Sequence, residues 1–214
     1  ELWSAYKRQL SHFINIKIKG NNIIERIYAE HMPTPYLSIL VDDCITNGRD
    51  YHDGGARYNT SYIMAVGLGT ITDCLSSIKH NVFDQKHMSM RELLEALDRN
   101  FEGYEHIRQR FLNKTPKYGN DDEYADTLMR DVFDAYYGAI NGRPTTKGGT
   151  YHVSFFPTTC HVYFGSVIGA MPDRRRAGEA LSEGISPVQG SDRLGPTAVI
   201  KSASKMDHVR TGGT

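Results

Sequence analysis

The chain has 214 residues, and its 25 Lys+Arg balance 25 Asp+Glu, so the formal charge is zero with neutral His. That balance supplies no bulk field for nucleic acid or an anionic membrane as partner. A content of 39% hydrophobic and 23% charged residues excludes disorder, collagen-like sequence and coiled coil. The longest apolar runs, such as Leu37 to Val41, are far too short to span a bilayer. Glu1-Leu2-Trp3-Ser4 carries no basic, then apolar, secretory signal, and the missing initial Met predicts a fragment or a processed chain. Cys44, Cys74 and Cys160 stand alone, with neither CxxC pairs nor a disulfide framework, which suits a reducing cytoplasm.

In chain order, Leu2, Tyr6, Leu10, Phe13 and Ile14 follow a helical period, with an interruption expected at Gly20-Asn21-Asn22 before Ile23, Ile24, Ile27 and Tyr28 resume it. Thr34 and Pro35 predict a new helix start. Leu37, Leu40, Val41, Cys44 and Ile45 predict one buried helical face, stopped by Gly48. Residues 50–60 read as an ordered polar and aromatic loop. A helix is expected from Leu68 to Val82, with Ile71, Cys74, Leu75, Ile78 and Val82 inward. Ser89-Met90-Arg91-Glu92 is a capping box opening a helix to about Phe101. Helical patterning continues to Leu112, and Asp122 caps another helix through Tyr136.

After residue 141 the pattern changes. Residues 142–149 read as a flexible basic connection, and Thr150 to Phe156 as a strand ended by Pro157. Frequent Gly and Pro then predict turns and shaped loops, with a short helix from Pro196 to Met206.

The chemical constellations are weak taken singly. Asp42-Asp43 and Asp121-Asp122-Glu123 read as solvated helix surface or caps, because adjacent helical residues point apart. The nine His show no metal-ligand spacing, and no metal is expected. Asp173-Arg174-Arg175-Arg176 reads as a solvated turn. Cys160, past a strand but without a Cys/His/Asn signature, reads as a buried inert thiol. Phe155-Phe156 read as core and pocket wall. The glycine pairs match no phosphate-loop motif.

Longer runs carry more. Gly-Gly-Thr-Tyr-His-Val-Ser-Phe-Phe-Pro-Thr-Thr-Cys-His-Val-Tyr-Phe-Gly over 148–165, Ala177 to Gly190 and Asp192 to His208 resemble glycyl radical enzymes of the pyruvate formate-lyase superfamily. So do Leu37 to Cys44 and Asp53-Gly-Gly-Ala-Arg-Tyr-Asn59. Pro157-Thr158-Thr159-Cys160 and Ser186-Pro187-Val188-Gln189-Gly190 are most similar to its dehydratase branch, in particular the trans-4-hydroxyproline dehydratases.

The resemblance implies an α/β fold. The chain would form part of a ten-stranded glycyl-radical-enzyme barrel within one catalytic domain over 1–214, helical over 1–141 and with barrel strands and loops over 142–214. The family's Cys-x-Glu loop is absent, since Cys44, Cys74 and Cys160 are followed by Ile45-Thr46, Leu75-Ser76 and His161-Val162, and the chain stops at Thr214, before the place where the family carries its glycyl loop. The expected catalytic residues therefore lie outside this chain, which would be an inactive fragment exposing apolar surface. The implied reaction is radical elimination from a small hydroxylated molecule. The radical would be installed by a partner enzyme using S-adenosylmethionine and an iron–sulfur cluster, in a cytoplasmic, anaerobic homodimer. Phe156 as an apolar wall, with Thr158 and Thr159 as polar contacts, are the implied substrate-binding residues. The family usually has Gly where Arg174 stands, so a positive φ is expected there, strained by a side chain. The rival readings are acyl transfer of the pyruvate formate-lyase kind, glycerol or propanediol dehydration, isethionate cleavage, a phosphate-binding glycine loop and a non-catalytic module.

Overall fold

A computed structural model describes residues 1–214. The chain forms two compact units, one of Glu1–Ile63 with Ala135–Val153 and one of Met64–Asp134 with Ser154–Thr214.

In the first unit, α1 is one unbroken helix over Leu2–His31. The interruption expected at Gly20 does not occur; glycine weakens a helix by only about 1 kcal/mol, and side chains along this stretch are anchored. Glu25 accepts hydrogen bonds from Ser61 Oγ and, at 2.8 Å, from Thr146 Oγ1, and Asn22 Oδ1 accepts from the Tyr151 hydroxyl at 2.8 Å. The single buried face expected over 37–45 is also corrected. The helix breaks into α2 (Pro35–Leu40) and α3 (Cys44–Asn47), with Val41 extended and Asp43 at φ +77°. Leu37, Leu40 and Ile45 are exposed, and Ser38 and Cys44 are the buried positions. The helical period is lost at the extended Val41, beyond which Asp42 and Asp43 face outward and pair with Arg57. Residues 142–149 form an ordered turn closed by a bridge between Pro144 and Thr150.

Strands β1 (Ser61–Met64) and β2 (Tyr151–Ser154) make a two-stranded sheet. The bonds Ser61 N–H to Thr150 O and Ala65 N–H to Ser154 O advance together, so the strands run parallel. Tyr151, Val153 and Ser154 are all buried, as expected when both faces of a parallel strand are covered. Four-residue β2 is the one strand within 142–214.

In the second unit, α4 (Leu68–Ile78) continues without a break into a wider π-type turn over Lys79–Asp84, so the helical run expected to Val82 is present with its last turn widened. The Ser89 cap forms as expected, its Oγ accepting from Glu92 N–H at 3.1 Å at the start of α5 (Met90–Asp98). The chain reverses through left-handed Asn100 and Phe101 into α6 (Glu105–Asn113). Burial of Phe101 against Leu93, Ala96, Ile107 and Phe111 offsets that strain; each such side chain is worth about 1.5–3 kcal/mol. Asp122 caps α7 (Glu123–Ile140) by accepting from Tyr124 N–H at 3.0 Å. Two short helices, α8 (Cys160–Ser166) and α9 (Pro196–Ser204), interrupt the long loops after β2. No helix is long and apolar enough to cross a membrane.

Candidate functional site

All three residues singled out for substrate binding lie on the segment between β2 and α8, in the second unit. Two close backbone approaches set its path. Phe155 donates its N–H to Gly213 O at 2.9 Å and accepts at its carbonyl from Ile185 N–H at 3.1 Å. A side chain on Gly184 would place its Cβ 2.0 Å from Phe155 O, and one on Gly213 would meet the Phe156 ring at 2.2 Å. Only glycine fits at 184, where the clash is with backbone, whereas at 213 the Phe156 ring would have to shift.

Phe155 is buried and packs on Phe133, whereas Phe156 is 52% exposed. Thr158 Oγ1 is buried with no hydrogen-bond partner. Thr159 is exposed and starts α8. The three side chains thus share one segment, with an apolar ring, an unspent hydroxyl and a surface hydroxyl in sequence. His161 pins it: its Nδ1 lies 2.6 Å from Thr158 O, and because a carbonyl only accepts, Nδ1 carries the proton. Its Nε2 faces Glu183 Oε1 at 3.7 Å. Cys160 is exposed rather than buried, since α8 directs it away from the core.

Beside His161 lies a cavity of about 440 Å³, also lined by Asp173, Arg174, Arg175 and Glu179. The sequence reading of 173–176 as a solvated turn fails here: Asp173 is 0% and Arg175 3% exposed. Arg175 donates to four backbone carbonyls, those of Gly165, Ile168, Gly169 and Glu179. It satisfies the carbonyls left over where α8 ends. The density of glycine at 165, 169 and 178 was the available signal, because bare loop backbone needs donors. Arg174 has φ +103°, the positive φ expected at this position.

Behind the turn is a buried ionic cluster. Lys117 Nζ lies 3.6 Å from Asp73 Oδ2, with side chains 7% and 0% exposed, and donates to Asp173 O at 3.1 Å. Asp73 Oδ1 also accepts from Tyr118 N–H at 3.0 Å. Burial pushes the Asp73 carboxyl above the usual range against the pull of Lys117, and pushes Asp173 up to about 6. Burial also drives the Cys74 thiol well up, with Asp173 and Asp73 adding to it, so Cys74 is no nucleophile. No group of three or more His, Cys, Asp or Glu could hold a metal ion. The arrangement is therefore a shaped wall and a polar cavity.

Comparison with known proteins identifies the family. The pyruvate formate lyase-like family matches residues 1–165, and the glycine radical family matches residues 181–214. Trans-4-hydroxy-L-proline dehydratase of Clostridioides difficile is 60% identical over the whole chain, which spans 27% of that protein. Isethionate sulfite-lyase of Nitratidesulfovibrio vulgaris is 40% identical over 94% of the chain and 24% of its own length. The crystal structure of the Clostridioides difficile dehydratase with trans-4-hydroxy-L-proline bound superposes with TM-score 0.97 over all of this chain and 27% of that one. The B12-independent glycerol dehydratase of Clostridium butyricum, 39% identical, gives 0.93 over 99% of this chain and 27% of its own. This α/β chain, a part of a larger barrel about a quarter the length of these relatives, belongs to the pyruvate formate lyase-like glycyl radical enzymes.

Proposed function

We propose that the chain is part of the catalytic polypeptide of a glycyl radical dehydratase that eliminates water from a small hydroxylated substrate, with trans-4-hydroxy-L-proline the first candidate. The observation that carries this reading is the 60% identity, running through all 214 residues, to an enzyme of that name. The reacting cysteine, its neighbouring Glu and the radical glycine belong to sequence beyond this chain, so the 214 residues alone are inactive. A partner using S-adenosylmethionine and an iron–sulfur cluster installs the radical, and the whole protein is a cytoplasmic homodimer.

Within that polypeptide the segment 156–159 forms part of the substrate pocket. Phe156 supplies an apolar surface, the buried Thr158 hydroxyl has a hydrogen bond to spare, and Thr159 is a further polar contact. Their work is orientation and the exclusion of water around one C–H bond. Exposed apolar side chains such as Tyr163, Val167 and Leu194 are covered by the rest of the polypeptide.

The test is an anaerobic assay of the full polypeptide with its activating enzyme, offering trans-4-hydroxy-L-proline, glycerol, propanediol and isethionate in parallel. Turnover of hydroxyproline above the other three is expected. Preference for any of the other three would overturn the substrate assignment, and no turnover of any would overturn the dehydratase reading.

A further inference from the structure

Backbone from two other segments fixes the chain at Phe156. An added Cβ on Gly184 would come 2.7 Å from Phe156 O, and the preceding carbonyl, Phe155 O, accepts from Ile185 N–H at 3.1 Å. The last residues of the chain reach the same stretch. Gly213 O accepts from Phe155 N–H at 2.9 Å and from Ser154 Oγ at 3.4 Å, and Thr214 Oγ1 lies 3.0 Å from His208 Nδ1. The three heavy atoms nearest to an added Cβ on Gly213 are Cδ2, Cε2 and Cζ of Phe156, consecutive atoms of one ring. Gly213 is not among the glycines in the left-handed region, so its backbone accepts an L side chain, and what that side chain would meet is the ring.

With the backbone fixed, the ring is the part free to yield. A Cβ 2.5 Å from Cδ2 has to be relieved to the ordinary carbon–carbon contact of about 3.5–4 Å, a retreat of about 1 Å or more that the Phe156 side-chain torsions supply. The ring is 52% exposed, so it has an open side to move into. Under the proposed function, on which this inference rests, that open side is the one turned to substrate. We propose that Gly213 is a positioning residue for substrate specificity. By lacking a side chain it lets the Phe156 ring lie back, and so sets the room left in front of the ring for a molecule the size of hydroxyproline. Gly213 acts through Phe156 and touches no substrate itself.

The test uses the full polypeptide with its activating enzyme, anaerobically, with trans-4-hydroxy-L-proline. Gly213→Ala should raise KM about tenfold or more and change kcat by less than about threefold, because the ring takes room from bound substrate while the reacting groups lie on other segments. In a Phe156→Ala background the same substitution should change KM by less than about twofold, since the atoms it meets are gone. Crystal structures of the unsubstituted polypeptide and of Gly213→Ala should show the ring displaced by about 1 Å with the backbone of residues 211–214 in place. An equal penalty with and without the Phe156 ring, or a ring left where it was, would overturn the proposal. If Gly213→Ala alone does not fold, the double variant has to recover folding, and failure of both overturns the proposal as well. An unsubstituted polypeptide that turns over no hydroxyproline refutes the substrate assignment instead, and the crystal comparison still decides whether Gly213 sets the ring.

Discussion

Asp173 makes this chain's stability depend on pH in a direction opposite to that of an ordinary salt-bridged carboxylate. Its side chain is 0% exposed, and burial lifts its carboxyl from 3.8 to about 6, while Arg175 N–H and Lys117 only partly offset the loss of water. Between those values the native state keeps a proton that the unfolded chain has released. The favourable contribution is therefore complete below about 4 and lost as pH rises through about 6. The interval corresponds to about 3 kcal/mol. Asp173→Asn preserves the side-chain oxygen that accepts from Arg175 N–H at 3.0 Å and removes the titration. Urea unfolding of both proteins at steps from about pH 4 to pH 7.5 gives a difference curve in which the carboxylates remote from Asp173 cancel, leaving Asp173 and its neighbour Asp73. The native protein should lose about 3 kcal/mol relative to the variant across that range, most of it before about pH 6.5. A difference curve flat to within about 0.5 kcal/mol, or rising with pH, would refute the burial argument.

Three further substitutions probe the same region. Lys117→Met strands the Asp73 carboxylate in the interior and should cost about 3–5 kcal/mol at neutral pH, with Asp73→Asn in the same chain restoring much of it, measured by urea unfolding. Arg174→Gly relieves a side chain held at φ +103° and gives up one hydrogen bond to Gln189 O, so the thermal midpoint should rise, by a net of about 1 kcal/mol in stability. Gly184→Ala forces a Cβ to within 2.0 Å of Phe155 O and should cost about 3 kcal/mol, detected as a lowered midpoint and loss of exchange protection at Ile185 N–H.

The parts of the fold that sequence makes legible are those where one residue has one local job. Ser89 and Asp122 read as caps and are caps, because a capping oxygen needs only the next few N–H groups. The positive φ at Arg174 was legible through a resemblance that placed Gly there. The failures share a cause as well. Leu37, Leu40 and Ile45 have the spacing of a buried face, but spacing reports what a face would bury and not whether this chain supplies the cover. Asp173 and Arg175 look like solvent-seeking charges, yet their burial depends on glycine-rich backbone reaching them from residues 165–179, which no local pattern encodes. Phe156, Thr158 and Thr159 fall on one segment as expected, because three near-neighbours in sequence cannot be far apart.

Why the second unit invests buried charge near its loops follows from what loops lack. Between Pro157 and Gly195 only α8 supplies regular hydrogen bonding, so most carbonyls there have no ladder to join. Apolar packing cannot satisfy them, and water is excluded where the chain folds under itself. Long donors do so: Arg175 of the same stretch takes four carbonyls, and from elsewhere Lys117 takes Asp173 O and the Tyr118 hydroxyl takes Ile185 O at 2.9 Å. Thr70 and Ser182 exchange two further bonds, at 2.8 and 3.0 Å. Such bonds are directional, so they fix where the loop backbone runs more sharply than apolar contact does. Rigid placement is what a pocket wall requires, since a misplacement of about 1 Å is enough to lower a rate about a hundredfold. The proposed wall at 156–159 takes its position from these donors through Ile185, His161 and α8, so in that proposal the buried polar cluster holds the wall without touching the substrate.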